Sequence, residues 1–220
     1  MNSKILFTSI ILTGTLVFSA CNILGGSSSS SGTDPIGGDP TPLGAVGNSF
    51  DIPAFPGTSD RVVEVIARDG NISTIQGSVT VSNPMILEMA KSLPYLEVEG
   101  DKVSGSQDFR ITDKGIQNVY DDGKTLTLVN YDAKKGDTYS LKRDGHTIRR
   151  KVQEVSSEDD FMWGFMYIKV IEIEETGSGI PGLSSVVYYA NHRFGIVGFD
   201  VHYEDGSTTY GYVYSDNNNR

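Results

Sequence analysis

The stretch GIVGFDVHYEDGSTTYGYVY, residues 195–214, reads as a β-hairpin. Asp205-Gly206 offers the positive φ angles of a two-residue turn, and both flanks are rich in Val, Tyr and Thr. Such a turn predicts Tyr203 opposite Thr208, Val201 opposite Tyr210, Phe199 opposite Tyr212 and Val197 opposite Tyr214. All of these share one face, while His202 with Thr209 and Asp200 with Gly211 share the other. An aromatic face backed by a polar one is what a half-buried hairpin requires. A slip of one residue would destroy that sorting.

Asp-Gly recurs at Asp69-Gly70, Asp122-Gly123 and Asp144-Gly145, each between runs of Val, Ile, Thr and Tyr. The turn at Asp144-Gly145 predicts Leu141 opposite Ile148 and Tyr139 opposite Arg150, with Lys142, Arg149 and Lys151 on the other side. At Asp122-Gly123, Val119 is expected to meet Leu126. Further strands are expected at Arg61–Ala67, Ser73–Val81, Phe109–Thr112, Met166–Glu174 and Val186–Ala190. One helix fits Met85 to Lys91: Ser82 or Asn83 caps it, Pro84 suits its first turn and Pro94 ends it. The fold class is therefore mainly β, an antiparallel meander forming a strongly curved sheet or a barrel, closed or half-open, with one short helix. A β-sandwich is the alternative.

Upstream, Gly25 to Asn48 is mostly Gly, Ser, Pro and Thr, with five serines from Ser27 to Ser31. Such a composition buries too little surface to offset its ordering entropy, so a tether is expected. Its reach from Cys21 to Ser49 is roughly 30 Å as a flexible coil. The folded domain is expected to span 50–216.

The first 20 residues have the layout of a signal peptide: Lys4, an apolar run from Ile5 to Phe18, then small residues Ser19 and Ala20. The run is shorter than the about 20 residues of a bilayer span. Val17-Phe18-Ser19-Ala20-Cys21 resembles a bacterial lipoprotein lipobox, with Phe18 where Leu is usual. The resemblance implies lipidation of Cys21, cleavage before it and anchoring to the cell envelope. Asn22 after the cysteine suggests the outer membrane by analogy.

A second resemblance covers about 80 residues. Gly136-Asp137-Thr138-Tyr139, Tyr188-Tyr189-Ala190-Asn191 and Phe194-Gly195-Ile196-Val197 are similar to domains of secreted and lipid-anchored bacterial proteins of unassigned function. It implies a β fold and no particular activity.

Composition excludes several roles. The 220 residues carry 18 Lys+Arg against 28 Asp+Glu, a net charge of -10, which argues against nucleic acid as a partner. A single Cys rules out an internal disulfide framework and a thiolate zinc site. The chain lacks G-x-S-x-G, H-E-x-x-H and Walker-type motifs. No cofactor is expected, and no catalytic residue is assigned.

Three constellations remain. Lys142, Arg143, Arg149, Arg150 and Lys151, with Lys134 and Lys135 upstream, concentrate positive charge in an acidic chain. They offer a patch for an anionic glycan, a lipid head group or an acidic partner, or else edge-strand protection. Phe161-Met162-Trp163-Gly164-Phe165-Met166-Tyr167 offers an aromatic platform at Trp163, Phe165 and Tyr167, or core packing. Asp200, His202 and Glu204 alternate along a strand and form a weak metal candidate, with a solvated polar face as the plainer reading. Together these features lead to the expectation of a lipid-anchored, non-catalytic envelope protein that binds a hydrophobic or anionic ligand or a partner protein. A structural or assembly subunit of an envelope complex is one alternative. An unrecognised hydrolase using His192 or His202 is the other.

Overall fold

The computed structural model describes residues 32–52, 57–91, 96–143, 145–180 and 182–216. The proposed signal, Cys21 and Pro94 lie outside them. Two antiparallel sheets of six strands dominate, and no closed barrel forms among the described residues. The first sheet contains β2 (Thr58–Asp69), β3 (Ile72–Val81), β5 (Lys102–Thr112), β6 (Gly115–Val119) and β7 (Thr125–Asn130) in that order, with β4 (Glu97–Glu99) also paired to β5. The second runs β15 (Thr208–Tyr212), β14 (Gly195–Tyr203), β13 (Leu183–Asn191), β12 (Ile171–Thr176), β9 (His146–Val155), β8 (Thr138–Arg143). A separate hairpin, β10 (Phe161–Trp163) and β11 (Met166–Ile168), is inserted between β9 and β12. Short strands β1 (Phe50–Asp51) and β16 (Tyr214–Ser215) pair with each other. Neighbours in space are mostly neighbours in sequence, the meander that the hairpin turns predict.

The sheets share one core. Phe109, Ile111, Leu126 and Leu128 from the first meet Leu141, Ile148, Val152 and Ile173 from the second. Each set alternates along its strand, so the pleat sends it to one face. The one α-helix among the described residues, α1 (Pro84–Lys91), starts after Asn83, whose carbonyl accepts the Leu87 N–H. Its Ala90 joins Val79, Val81, Leu96 and Val103 in a smaller cluster at the end of the first sheet.

The four Asp-Gly steps behave in three ways. Arg143 pairs with His146, Leu141 with Ile148 and Tyr139 with Arg150, as expected of a two-residue turn at Asp144-Gly145. At Asp69-Gly70 the pair closing the turn is Asp69 with Ile72, so Gly70-Asn71 is the turn. At the other two the register is one residue away from expectation. His202 pairs with Thr208, Val201 with Thr209 and Phe199 with Gly211. Asn118, not Val119, pairs with Leu126. The cause is local. Gly206 has φ +83 and Gly123 φ +76, but neither preceding Asp is left-handed, as a type I′ turn would need. Instead the Asp205 carboxylate accepts the Ser207 N–H at 2.9 Å, and Asp122 accepts the Lys124 N–H at 3.2 Å. These Asx contacts favour a three-residue loop with Gly in third place.

The segment expected to be a tether differs too. From Gly32 the chain is strapped along the first sheet. The Gly32 carbonyl accepts from the Thr127 N–H and hydroxyl, and Thr33 accepts from Thr125 Oγ1. Gln117, fully buried, accepts the Ile36 N–H and donates to the Asp34 carbonyl. Leu43, in a 3-10 turn at Pro42–Gly44, enters the shared core. Buried Asn48 holds the Leu43 carbonyl and Ser215 Oγ. Few apolar residues are needed because polar side chains of the sheet supply the partners. The folded unit therefore includes residues well before Phe50.

Candidate functional site

A partly open cavity of about 130 Å³ lies between the sheets. Phe109, Ile111 and Leu128 line it from one sheet, and Tyr188, Ile196 and Phe199 from the other. Leu43 of the strap, with Phe50 and Ile52 just beyond its end, completes the wall. Nearly all of that wall is apolar. Gly195 contributes bare backbone at φ +73; a Cβ there would stand 3.0 Å from the Leu43 side chain. An apolar void of about this size stays dry and takes a ring-sized guest.

Beyond Tyr188 lies a buried ion pair. Arg150 Nε donates to Glu175 Oε2 at 2.6 Å, and Arg150 Nη1 donates to the Leu126 carbonyl at 3.1 Å. Burial opposes the Arg150 charge, but the Glu175 carboxylate and its hydrogen bond favour it, and the guanidinium is held more firmly protonated than usual. Burial, reinforced by Glu175, pushes the Tyr188 hydroxyl well above its ordinary range. The phenol is thus neutral at any physiological pH.

The basic cluster is divided by the pleat. Lys142, Arg149 and Lys151 are exposed on the outer face of β8 and β9. Arg143 and Arg150 point inward, each 3% exposed. The Arg143 guanidinium lies 3.9 Å above the Tyr120 ring and 3.6 Å from the Asp122 carboxylate. Its nitrogens make no hydrogen bond among the described residues. The five cations therefore do not form one patch. The alternation was visible in the sequence, since Arg143 and Arg150 stand in the same file as Tyr139, Leu141, Ile148 and Val152.

The aromatic segment is likewise divided. Trp163 is buried, while Phe165 and Tyr167 are exposed on the β10–β11 hairpin. Asp200 and His202 share a face of β14, but Glu204 lies beyond the strand end. Asp200 accepts the Tyr189 hydroxyl at 2.9 Å, and His202 Nδ1 is 3.1 Å from Thr208 Oγ1. Among the described residues no cluster of three such side chains is placed to hold a metal. His146 and His192 are exposed, and none of the three histidines lines the cavity. Among the described residues, no helix is long and apolar enough to cross a membrane.

No known protein family matches the chain, and neither a curated protein nor a solved structure shows significant similarity to it.

Proposed function

We propose that this protein is a non-catalytic binding domain, held at the bacterial envelope by lipid on Cys21, whose inter-sheet cavity accepts a small apolar ligand or the apolar end of a larger one. The observation that carries the reading is the cavity itself: about 130 Å³, walled almost wholly by apolar side chains, and partly open. A core normally closes such a space, because voids forfeit packing contacts. Its size suits a ring or a few methylenes rather than a whole acyl chain.

Titration with benzene-sized and short alkyl probes, followed by methyl NMR, tests this. Resonances of Ile111, Leu128 and Ile196 are expected to shift together and saturably. Val213→Phe, which fills the space from its wall, is expected to abolish the shifts. Unmoved methyls at millimolar probe would end the proposal.

A further inference from the structure

The β10–β11 hairpin breaks the alternation that governs the sheets. One of its faces is seated on the body. Phe161 stacks on Tyr189 with ring centres 4.8 Å apart and meets Tyr212 edge-on at 6.1 Å. Trp163 lies against Phe194 at 4.6 Å and Tyr214 at 5.2 Å, and its indole N–H donates to the Val213 carbonyl at 3.0 Å. The opposite face ought to be polar. Instead Met162 and Tyr167, paired across the strands, are 54% and 62% exposed, and Phe165 at the turn is fully exposed. No charged side chain occurs from Phe161 to Ile168.

We propose that this hairpin is a wedge that seats Phe165, Met162, Met166 and Tyr167 in the interfacial layer of a zwitterionic phospholipid membrane. Three considerations favour a bilayer. The apolar group is a narrow convex tip, whereas a stable protein interface buries about 800 Å² on each partner. Three-residue strands rising about 3.3 Å per residue give a tip of about 10 Å, which fits the shallow depth of interfacial elements. The base carries both signs of charge. Exposed Lys169 follows Ile168, and the Arg193 guanidinium lies 5.3 Å from the Phe194 ring centre. Asn191 ties these together by donating to the Lys169 carbonyl at 2.7 Å and accepting the Arg193 N–H at 2.8 Å. On the other strand, exposed Glu158, Asp159 and Asp160 precede Phe161. Cations suit the lipid phosphate and carboxylates suit its ammonium; a purely anionic surface would meet the acids unfavourably.

Trp163 is the only tryptophan in the chain, so it reports on this hairpin alone. The full chain is mixed with phosphatidylcholine vesicles, plain or brominated on the acyl chains. Bromine is expected to quench Trp163 emission, and Phe165→Asp and Tyr167→Asp are each expected to cut that quenching by about fivefold or more. Both positions are exposed, and circular dichroism checks that each variant keeps its fold. Four results would overturn the proposal: no vesicle binding, bound protein with unquenched Trp163, quenching that survives both substitutions, or a dimer in sedimentation that Phe165→Asp dissolves. The last would assign the tip to a second copy of this chain.

Discussion

Replacing Glu175 by alanine strands a guanidinium in the core. Arg150 is 3% exposed and Glu175 8%, with donor and acceptor 2.6 Å apart. Taking a charge separation of about 4 Å and an effective dielectric of about 20, the attraction is about 4 kcal/mol. Breaking a buried pair by removing one partner costs about 3–5 kcal/mol, because the survivor keeps its desolvation penalty. In a domain of this size that lowers Tm by roughly 6–20 °C. The double variant Arg150→Met, Glu175→Leu removes both charges and leaves only the Leu126 carbonyl without its donor, a loss of about 1–3 kcal/mol. It is expected to be more stable than Glu175→Ala by about 2 kcal/mol. Urea unfolding of the three proteins measures this. A single variant within about 1 kcal/mol of wild type, or a double variant no better than the single, would show that the pair is solvated and the reasoning wrong.

Other substitutions test separate features. Gly177, at φ +74, would place a Cβ 2.2 Å from the Thr147 carbonyl oxygen, so Gly177→Ala is expected to cost about 2–3 kcal/mol in urea unfolding. Gly206, at φ +83 with open space around it, is the control, and Gly206→Ala is expected to cost about 1 kcal/mol. Burial, then the charges of Asp200, Glu154 and Glu174, raise the Glu172 carboxyl above its usual 4.5. The folded state therefore holds this proton more tightly than the unfolded state, and stability from it is lost as pH rises through that range. Glu172→Gln should raise Tm at neutral pH and leave it unchanged near about pH 3.5, and a lower Tm at neutral pH would reverse the sign. A chain beginning at Phe50 should be less stable than one beginning at Gly32 by about 4 kcal/mol or more, from the burial of Leu43 and the strap hydrogen bonds.

The strands were legible because their side chains alternate, and the helix because Pro84 opens an apolar run. The Arg143–His146 hairpin was legible down to its pairs. The strap was not. Its attachment uses Gln117, Thr125 and Thr127, residues whose polarity suggests solvent, while its own chain offers little apolar signal beyond Ile36 and Leu43. Composition measures burial of apolar surface; it is blind to a segment held by backbone hydrogen bonds to buried polar side chains. The cavity was equally invisible, since an unfilled space leaves no mark on the periodicity of the residues around it. The exposed hairpin tip was half visible: the density of aromatics singled it out, but nothing local said which members face the body.

The one-residue difference at Asp205-Gly206 explains both features of functional interest. In the expected register Tyr210 and Tyr212 face inward with Val201 and Phe199. In the observed one their places inside are taken by Thr209 and Gly211, so the wall beside Phe199 loses two rings. Those rings appear outside, where Tyr212 meets Phe161 and its file-mate Tyr214 lies against Trp163. Cavity and hairpin seat are thus two outcomes of one three-residue loop. Asp205→Asn, which keeps Glu204 and places Asn-Gly at 205–206, favours the two-residue turn in which Glu204 pairs with Ser207 and Val201 with Tyr210. Forcing two tyrosines inward should then cost about 1–3 kcal/mol each by overpacking. It should also remove the Tyr214 stack, shifting Trp163 emission to the red. Unchanged emission and unchanged stability in that variant would show that the sheet, not the loop, sets the register.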